Sequence, residues 1–439
     1  MKHVRIPVLL LIVSSFTSQA QFKNIKLAEE VEGGRPMVEP SVTINRKDPK
    51  NIVVGYSTDR ASYTFDGGIT WKETILESLF GVYGDPALIS NSKGDMYFFH
   101  LSDPSGEGRS NEAWLDRIVV QKSDDGGRTW DKGESIGHNP PADQDKPWPA
   151  IHPRKDDLFV TWTQFDEYGS EDPSCTSNIM FSMSTNGGKK WSKAIQINQN
   201  PGDCLDSDNT AEGAVPAVGN DGKIYVVWSN RGNIYFDRSF DYGKSWIRND
   251  LLITEQKGGW DMDIPGLGRC NGMPIVYVDN SATKFEAVVY VLWADQENGE
   301  NDTDIWFTRS TNRGDNWSAP IRINQEQNAS HQFMPWMTVD VTTGYIYVVY
   351  YDRRDYMDNQ TDVYLAYSID GGYTFSETKI SESPFTPTED KFFGDYNNIS
   401  AHKGVIVPVW TRMDNGKTSI WSTIIKQEDL IKKAEQEKN

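Results

Sequence analysis

The sequence of 439 residues has few cysteines, fewer basic than acidic residues and only one long apolar run. Its three cysteines, Cys175, Cys204 and Cys270, include no Cys-x-x-Cys pair, which excludes a zinc ribbon. The 44 lysines and arginines stand against 63 acidic residues, and the net charge of −19 argues against a nucleic-acid partner. The single apolar run lies at the N-terminus, which excludes an integral membrane protein.

The N-terminal segment has the layout of a secretory signal peptide. Lys2 and Arg5 precede the apolar run, and the tripeptide Ser-Gln-Ala at 18–20 resembles a cleavage site. Removing these two basic residues takes the net charge from −19 to −21. We therefore expect an exported protein, secreted, periplasmic or held at the cell surface, without insertion into a membrane.

Glycine and tryptophan are abundant, with 36 and 15 copies, and a repeated eight-residue pattern uses both. The pattern reads Ser/Thr-x-Asp/Asn-x-Gly-x-x-Trp/Phe. It occurs six times, at 64–71, 123–130, 184–191, 239–246, 310–317 and 368–375. Asp or Asn bonds its own backbone in such a turn, Gly supplies positive φ, and the aromatic residue packs on the turn. The pattern therefore predicts six equivalent hairpin turns.

These copies are similar to the Asp-box (BNR) repeat of sialidases and other β-propellers. Their closing aromatic residues, from Trp71 to Phe375, are on average about 61 residues apart, the length of one four-stranded blade. Seven segments opened by proline or its equivalent also divide the chain into seven units. We predict an all-β, seven-bladed β-propeller, with six blades as the alternative. The predicted boundaries are a signal peptide at 1–20, a single propeller domain at 21–425 and a charged tail at 426–439.

The seventh unit lacks an Asp box and a fourth strand. The segment Phe22–Ala28 resembles the strands that follow Asp boxes elsewhere in the chain. We predict that this N-terminal segment supplies the missing strand, which would close the ring and remove an open sheet edge.

Long polar loops lie on the face opposite the Asp boxes, where the resemblance places the active site. Loops of this length in a compact fold are usually functional. The same face holds all three cysteines, so that either a Cys204–Cys270 or a Cys175–Cys204 disulfide would brace it. Trp260, Tyr168 and Tyr356 are candidates for stacking on sugars. The loops and the segments between blades are 102–116, 165–178, 295–304, 352–362, 199–213 and 254–272.

The residue before each opening proline is predicted to lie near the mouth of the central channel. Glu39, Asp85 and Lys146 hold this place in neighbouring blades, and Asp395 holds the equivalent place in the seventh unit. Three carboxylates and an ammonium group suit acid–base chemistry or a cation such as calcium. Capping of strand ends is the alternative role. No other cofactor is indicated.

The resemblance to sialidases also implies individual site residues. Those enzymes use three arginines to clamp a carboxylate, a tyrosine nucleophile, a glutamate and an aspartate. The order of candidates along this chain resembles that order, although Val38-Glu39-Pro40 stands where the family has Arg-Ile-Pro. The implied catalytic residues are Asp85, Glu212 and Tyr396. The expected substrate-binding residues are Arg35, Glu39, Lys146, Arg269, Arg353, Arg354 and Asp395.

The sequence therefore predicts an exported, sialidase-like glycoside hydrolase that acts on glycans, as an exo-enzyme on sialic acid or another sugar acid. Two alternatives stay open. One is a propeller that binds glycan or protein without catalysis, and the other is a polysaccharide lyase.

Overall fold

Short β-rich segments separated by glycine-rich turns pair into seven antiparallel sheets, which are the blades of a seven-bladed β-propeller. The computed structural model describes residues 22–437, so the predicted signal peptide lies outside the described residues. The prediction of an all-β fold with seven blades is confirmed, and the six-bladed alternative is wrong.

Each of the first four blades has four strands that follow one another from the innermost to the outermost. Blade 1 is Ser41–Ile44, Ile52–Tyr56, Arg60–Thr64 and Lys72–Ile75. Blade 2 is Ala87–Ser90, Met96–Leu101, Ile118–Ser123 and Glu134–Ile136. Blade 3 is Asp143–Ile151, Leu158–Phe165, Ser177–Ser184 and Ile195–Gln196. Blade 4 is Glu212–Val218, Ile224–Asn230, Asn233–Ser239 and Leu251–Glu255.

The remaining three blades continue the same order around the ring. Blade 5 is Ile275–Val278, Val289–Asp295, Asp304–Ser310 and Ile321–Arg322. Blade 6 is Gln332–Val339, Ile346–Asp352, Asp362–Ser368 and Ser376–Lys379. Blade 7 takes Asn398–His402, Val405–Asp414, Lys417–Ser422 and the short Ile425–Lys426 from the C-terminal end of the chain.

The N-terminal strand Ile25–Glu29 completes blade 7 by pairing antiparallel with Lys417–Ser422. This confirms the predicted closure of the ring. The helix Gln427–Glu437 follows the last strand. Its Leu430 is fully buried, and its backbone carbonyl accepts a hydrogen bond of 3.2 Å from the Tyr367 hydroxyl of blade 6.

The Asp boxes join the third and fourth strands of blades 1–6, as the repeat predicts. In the first copy, Asp66 Oδ1 accepts hydrogen bonds of 2.9 Å from the backbone amides of Ile69 and Thr70. The Thr64 hydroxyl accepts one of 3.2 Å from the Gly68 amide. Gly68 has a φ of 91°, a conformation that side chains rarely adopt. The motif is thus explained by the turn that it builds.

The aromatic residue that closes an Asp box also packs across the seam between blades. In blades 3–6 its ring contacts, edge to face, an aromatic ring of the preceding blade. The centroid distances are 5.8 Å for Phe99–Trp191, 5.0 Å for Phe181–Trp246, 5.2 Å for Phe236–Trp317 and 5.1 Å for Phe307–Phe375. These half-buried rings therefore hold successive blades together.

Candidate active site

A cleft of about 510 Å³ opens on the face opposite the Asp boxes. It is lined by segments that precede the inner strands of blades 1, 2, 5 and 7, by the start of the inner strand of blade 3, and by loops between the second and third strands of blades 1–3. Within these loops lies the long segment 102–116. The cleft is thus displaced from the propeller axis toward blades 1–3.

The backbone at three of the blade openings takes a conformation that is unfavourable for side chains. Glu39, Asp85 and Lys146 each precede a proline and have φ values of 56°, 52° and 49°. Left-handed backbone outside glycine costs of order 1–3 kcal/mol per residue and is common at functional sites. Met334 has the same conformation, with a φ of 47°, but its side chain lies in the core. The conformation therefore belongs to the blade opening, and three of these four positions present a charged group to the cleft.

β-Bulges interrupt the inner strands of blades 3 and 4. The pairing register shifts between Asp145 and Trp148 in blade 3, and between Glu212 and Val215 in blade 4. A bulge adds a residue to one strand and changes the direction of its side chain. Lys146 lies within the first bulge, and Glu212 begins the second. The bulges therefore help to position the charges beneath the cleft.

Lys146 is the central cation of the cleft floor. Its Nζ lies 2.8 Å from Glu212 Oε1, 3.1 Å from Asp145 Oδ2 and 3.4 Å from Asp395 Oδ2. Only 3% of its side chain is exposed. Burial alone would lower the pKa of Lys146, but the surrounding carboxylates outweigh burial and raise it well above its ordinary value. The ammonium group is therefore charged and fully engaged.

Arg269 is the second cation of the floor. Its guanidinium donates hydrogen bonds of 2.5 Å to Asp206 Oδ2 and 2.7 Å to Asp395 Oδ2. Asp206 also accepts a hydrogen bond of 2.5 Å from the Tyr168 hydroxyl. Burial would raise the pKa of Asp206, but Lys146 and Arg269 together lower it. Asp206 is therefore ionised, and Arg269 is neutralised by its own neighbours.

Three other carboxyl groups of the floor hold their protons more tightly than in water. Burial and the charge of Asp395 raise the pKa of Glu39 from 4.5 to about 8. Burial and the charge of Glu39 raise the pKa of Asp85 well above its ordinary value. Burial and the charge of Asp206 do the same for Glu212. Neutral carboxylic acids and ionised carboxylates are thus neighbours at this site.

Glu39 and Asp85 differ from Glu212 in their contacts. Glu212 is fully buried beneath the cleft, whereas Glu39 and Asp85 line it. Within residues 22–437, neither the Glu39 nor the Asp85 carboxyl group makes a hydrogen bond or an ion pair. Their acidic protons are therefore available to a molecule in the cleft.

Tyr396 lies under the same cluster but is engaged by the fold. Its hydroxyl donates a hydrogen bond of 3.3 Å to the Pro86 carbonyl oxygen, and its ring contacts Trp148 at a centroid distance of 4.9 Å. Burial and the charges of Asp85 and Glu39 raise its pKa well above the ordinary value. These surroundings oppose formation of a phenolate.

The structure brings most of the predicted site residues together and leaves two apart. Arg353 donates hydrogen bonds to the Pro265 carbonyl and the Thr361 hydroxyl, at 2.6 Å and 3.1 Å. Arg354 forms ion pairs with carboxylates of blade 6 and its flanking loop. Neither arginine lines the cleft. The predicted residues that do line it are Arg35, Glu39, Asp85, Lys146, Arg269 and Asp395.

Sequence reasoning missed Asp145, Asp206 and Arg109. Asp145 adjoins the predicted Lys146, and Asp206 and Arg109 lie in two of the loops identified as long and polar. The position of each residue in the sequence therefore indicated that it could lie at the site. Among the aromatic candidates, Tyr168 lines the cleft. Trp260 is only 1% exposed, and its indole donates a hydrogen bond of 3.2 Å to Asp206. It therefore supports the floor from below.

Cys175 and Cys204 form a disulfide, which decides between the two pairings left open by the sequence. Cys270 is a buried thiol, and burial raises its pKa. The disulfide joins the 165–178 loop to the segment that carries Asp206. The backbone amide of Gly169 also donates a hydrogen bond of 2.7 Å to the Cys204 carbonyl oxygen. The covalent link therefore braces one side of the cleft.

Two further properties concern residues 22–437 only. In this part of the chain, no group of three or more His, Cys, Asp or Glu side chains is arranged to hold a metal ion. No helix there is long and apolar enough to cross a membrane.

Residues 62–73, which overlap the first repeat copy, match the family model of the BNR/Asp-box repeat. No curated protein matches the sequence.

Solved structures with the same fold include enzymes that differ in activity. The NanB sialidase from Streptococcus pneumoniae is 9% identical with a TM-score of 0.50, over 86% of this chain and 84% of that one. The GH93 α-L-arabinofuranosidase of Fusarium graminearum, in complex with arabinobiose, is 13% identical with a TM-score of 0.50, over 93% and 98%. A PL25 ulvan lyase, a polysaccharide lyase bound to -[GlcA(1-4)Rha3S]-, is 12% identical with a TM-score of 0.51, over 92% and 96%. Identities this low establish a shared fold and leave the activity to the site.

Proposed function

Because the chain is a sialidase-like β-propeller with Asp-box repeats, we propose that it is a glycoside hydrolase whose chemistry is carried by carboxyl groups. One observation carries the proposal. Burial raises the pKa of both Glu39 and Asp85, neither carboxyl group has a hydrogen-bond partner, and they share a cleft with Asp395, which forms ion pairs with Lys146 and Arg269. Paired carboxyl groups with opposite protonation are what glycosidic bond cleavage requires.

The proposed roles follow from these environments. The Glu39–Asp85 pair donates a proton to the glycosidic oxygen as its bond to the anomeric carbon breaks. Water then attacks that carbon and releases a proton, which returns to the pair. Asp395 stabilises the positive charge that develops on the sugar ring, and Lys146 and Arg269 fix its position. Glu212 and Tyr396 support the floor. General acid catalysis of this kind contributes about 10²–10⁴-fold to the rate.

We also propose that the protein is exported from the cytosol. The segment 1–20 has signal-peptide character, and a disulfide is typical of an oxidising compartment outside the cytosol. A polymeric glycan is also a substrate that an enzyme meets outside the cell. Comparing the N-terminal residue of the secreted and cytosolic forms tests this part.

The test of activity is a screen of neutral and acidic glycans for new reducing ends, run beside ultraviolet absorbance. E39Q and D85N should each lose at least about 100-fold in kcat, since each removes one of the two acidic groups from the pair that donates the proton. The matched control is E134Q, which changes an exposed carboxylate on the outermost strand of blade 2.

The outcomes separate the candidate functions. Turnover that falls as pH rises through about 8, where Glu39 loses its proton, supports hydrolysis by this pair. An increase in ultraviolet absorbance indicates unsaturated sugar ends and a lyase instead. Binding without turnover by the wild type indicates a glycan-binding propeller, and unchanged kcat in E39Q and D85N contradicts the assigned roles.

A further inference from the structure

One wall of the cleft alternates guanidinium groups with aromatic rings. We call this the rim wall, and it consists of Arg35, Tyr83, Trp114, Arg109 and Tyr168, all of which line the cleft. Arg35 Cζ lies 5.9 Å from the centre of the Tyr83 ring, and Tyr83 packs edge to face on Trp114 at 5.4 Å. Arg109 Cζ lies 5.3 Å from the Trp114 ring and 5.0 Å from the Tyr168 ring. The five side chains therefore form one continuous surface.

The two arginines of the rim wall differ from the two cations of the floor. Lys146 forms ion pairs with Asp145 and Asp395, and Arg269 forms ion pairs with Asp206 and Asp395. In the described part of the chain, neither Arg35 nor Arg109 takes part in an ion pair or donates a side-chain hydrogen bond. Arg109 influences the half-buried Asp143 carboxyl group through its charge alone. Both guanidinium groups therefore keep their donors for a ligand.

The rim wall is also held in place before any ligand arrives. The Tyr168 backbone amide donates a hydrogen bond of 2.8 Å to Asp143, and its hydroxyl donates one to Asp206. The loop that carries Arg109 is anchored by Asp103, which accepts 3.0 Å hydrogen bonds from the amides of Gly106 and Gly108. A surface fixed in advance loses less conformational entropy on binding.

The floor and the rim wall favour opposite charges. A negatively charged group over the floor would lie close to four acidic side chains, those of Glu39, Asp85, Asp145 and Asp395. Repulsion between like charges would weaken binding of that group, and it would also disfavour ionisation of the carboxyl groups. A guanidinium group matches a carboxylate or a sulfate ester through paired hydrogen bonds. Aromatic rings provide the broad apolar surface that is typical of ligand sites.

We propose that the rim wall binds an anionic substituent, a carboxylate or a sulfate ester, on a sugar residue adjacent to an uncharged residue over the floor. The inference rests on the proposed function for the role of the floor, and it names the substrate class as an acidic glycan of at least two residues. Arg35 and Arg109 determine this specificity without touching the bond that breaks.

Binding is measured separately from turnover, with wild type and E39Q on an array of immobilised carboxylated, sulfated and neutral glycans. Dissociation constants are then measured for the acidic oligosaccharides that are retained and for their neutral counterparts. R35Q and R109Q, made in the E39Q background, should each weaken binding of acidic oligosaccharides at least 10-fold and of neutral ones less than 2-fold. The carboxylated and sulfated arms identify which anion is bound.

The matched control is R128Q. Arg128 is another exposed arginine that lies over an aromatic ring, with its Cζ 4.0 Å from the centre of Phe65, but it belongs to an Asp-box turn on the opposite face. It should leave every dissociation constant unchanged. Acidic binding should also weaken as salt concentration rises, because the contacts are charged and close to solvent.

Two failures are distinguishable. If acidic glycans are not retained in preference to neutral ones, or if R35Q and R109Q bind them as tightly as R128Q does, the rim wall is not an anion site and the inference is overturned. If acidic glycans bind with the expected dependence on these arginines but the wild type cleaves none of them, the inference stands and the proposed hydrolase activity fails.

Discussion

Glu39 should affect the pH dependence of the free energy of unfolding as well as the activity. Burial and the Asp395 charge raise its pKa from 4.5 to about 8. The unfolded chain releases this proton near pH 4.5, whereas the folded protein keeps it up to about pH 8. The folded state therefore loses stability as pH rises between these values. Each pH unit is worth about 1.4 kcal/mol for one proton, so the full loss is about 5 kcal/mol.

Replacing Glu39 by Gln removes this loss, because glutamine resembles the protonated acid in shape and cannot ionise. E39Q should match the wild type near pH 5 and exceed its free energy of unfolding at pH 9. Since Asp85 lies beside Glu39 and its pKa is also raised, the two acids share the titration, and we expect a gain of about 3–5 kcal/mol. The same substitution should abolish most of the activity, a trade between stability and function that is common at active sites.

Urea unfolding, followed by tryptophan fluorescence at pH 5, 7 and 9, measures the effect. E134Q serves as the control, and its free energy of unfolding should run parallel to that of the wild type across the range. The reasoning is refuted if the difference between E39Q and the wild type changes by less than about 1 kcal/mol from pH 5 to pH 9, or if E39Q is the less stable protein at pH 9.

Three further changes test the framework of the site. K146M should destabilise the protein by about 3–5 kcal/mol at pH 7, because Asp145 and Asp395 lose the buried cation that they share. A loss below about 1 kcal/mol in urea unfolding would contradict the network. The double variant C175S/C204S, or reduction of the wild type, should cost about 3 kcal/mol, since the disulfide spans 29 residues; an unchanged unfolding midpoint would count against it. D125A removes an acceptor of turn amides in the second Asp box. It should lower the free energy of unfolding by about 1–2 kcal/mol and leave kcat unchanged. A loss in kcat that exceeds the loss of folded protein would give this turn a role in function.

The fold could be predicted from the sequence because it is built from one structural unit that is repeated along the chain. A turn that needs Asp or Asn, Gly and an aromatic ring at fixed spacing leaves the same pattern in six blades, so that the number of blades follows from this spacing together with the seven blade openings. The closing strand Ile25–Glu29 was also predictable, since it shares the pattern of the strands that follow Asp boxes. Each of these features is local along the chain.

The candidate site was only partly predictable because it is assembled from distant segments. The prolines placed Glu39, Asp85 and Lys146 at blade openings, and ring geometry placed Asp395 beside them. The partners of Arg269 depend on where two long loops return to the floor, which periodicity does not specify. Arg353 and Arg354 follow a buried strand in the expected order, yet their hydrogen bonds direct them away from the cleft.

The distribution of charge around the cleft explains how a strongly acidic protein can bind an acidic ligand. Lys146 and Arg269 form ion pairs with Asp395 and other neighbouring acidic side chains, and they therefore offer no free positive charge to an anion in the cleft. Attraction for an anion is left to the two arginines of the rim wall. If both act on one molecule, its negative charge lies beside the reacting sugar. This arrangement favours cleavage next to an acidic residue over removal of a terminal sugar acid bound on the floor.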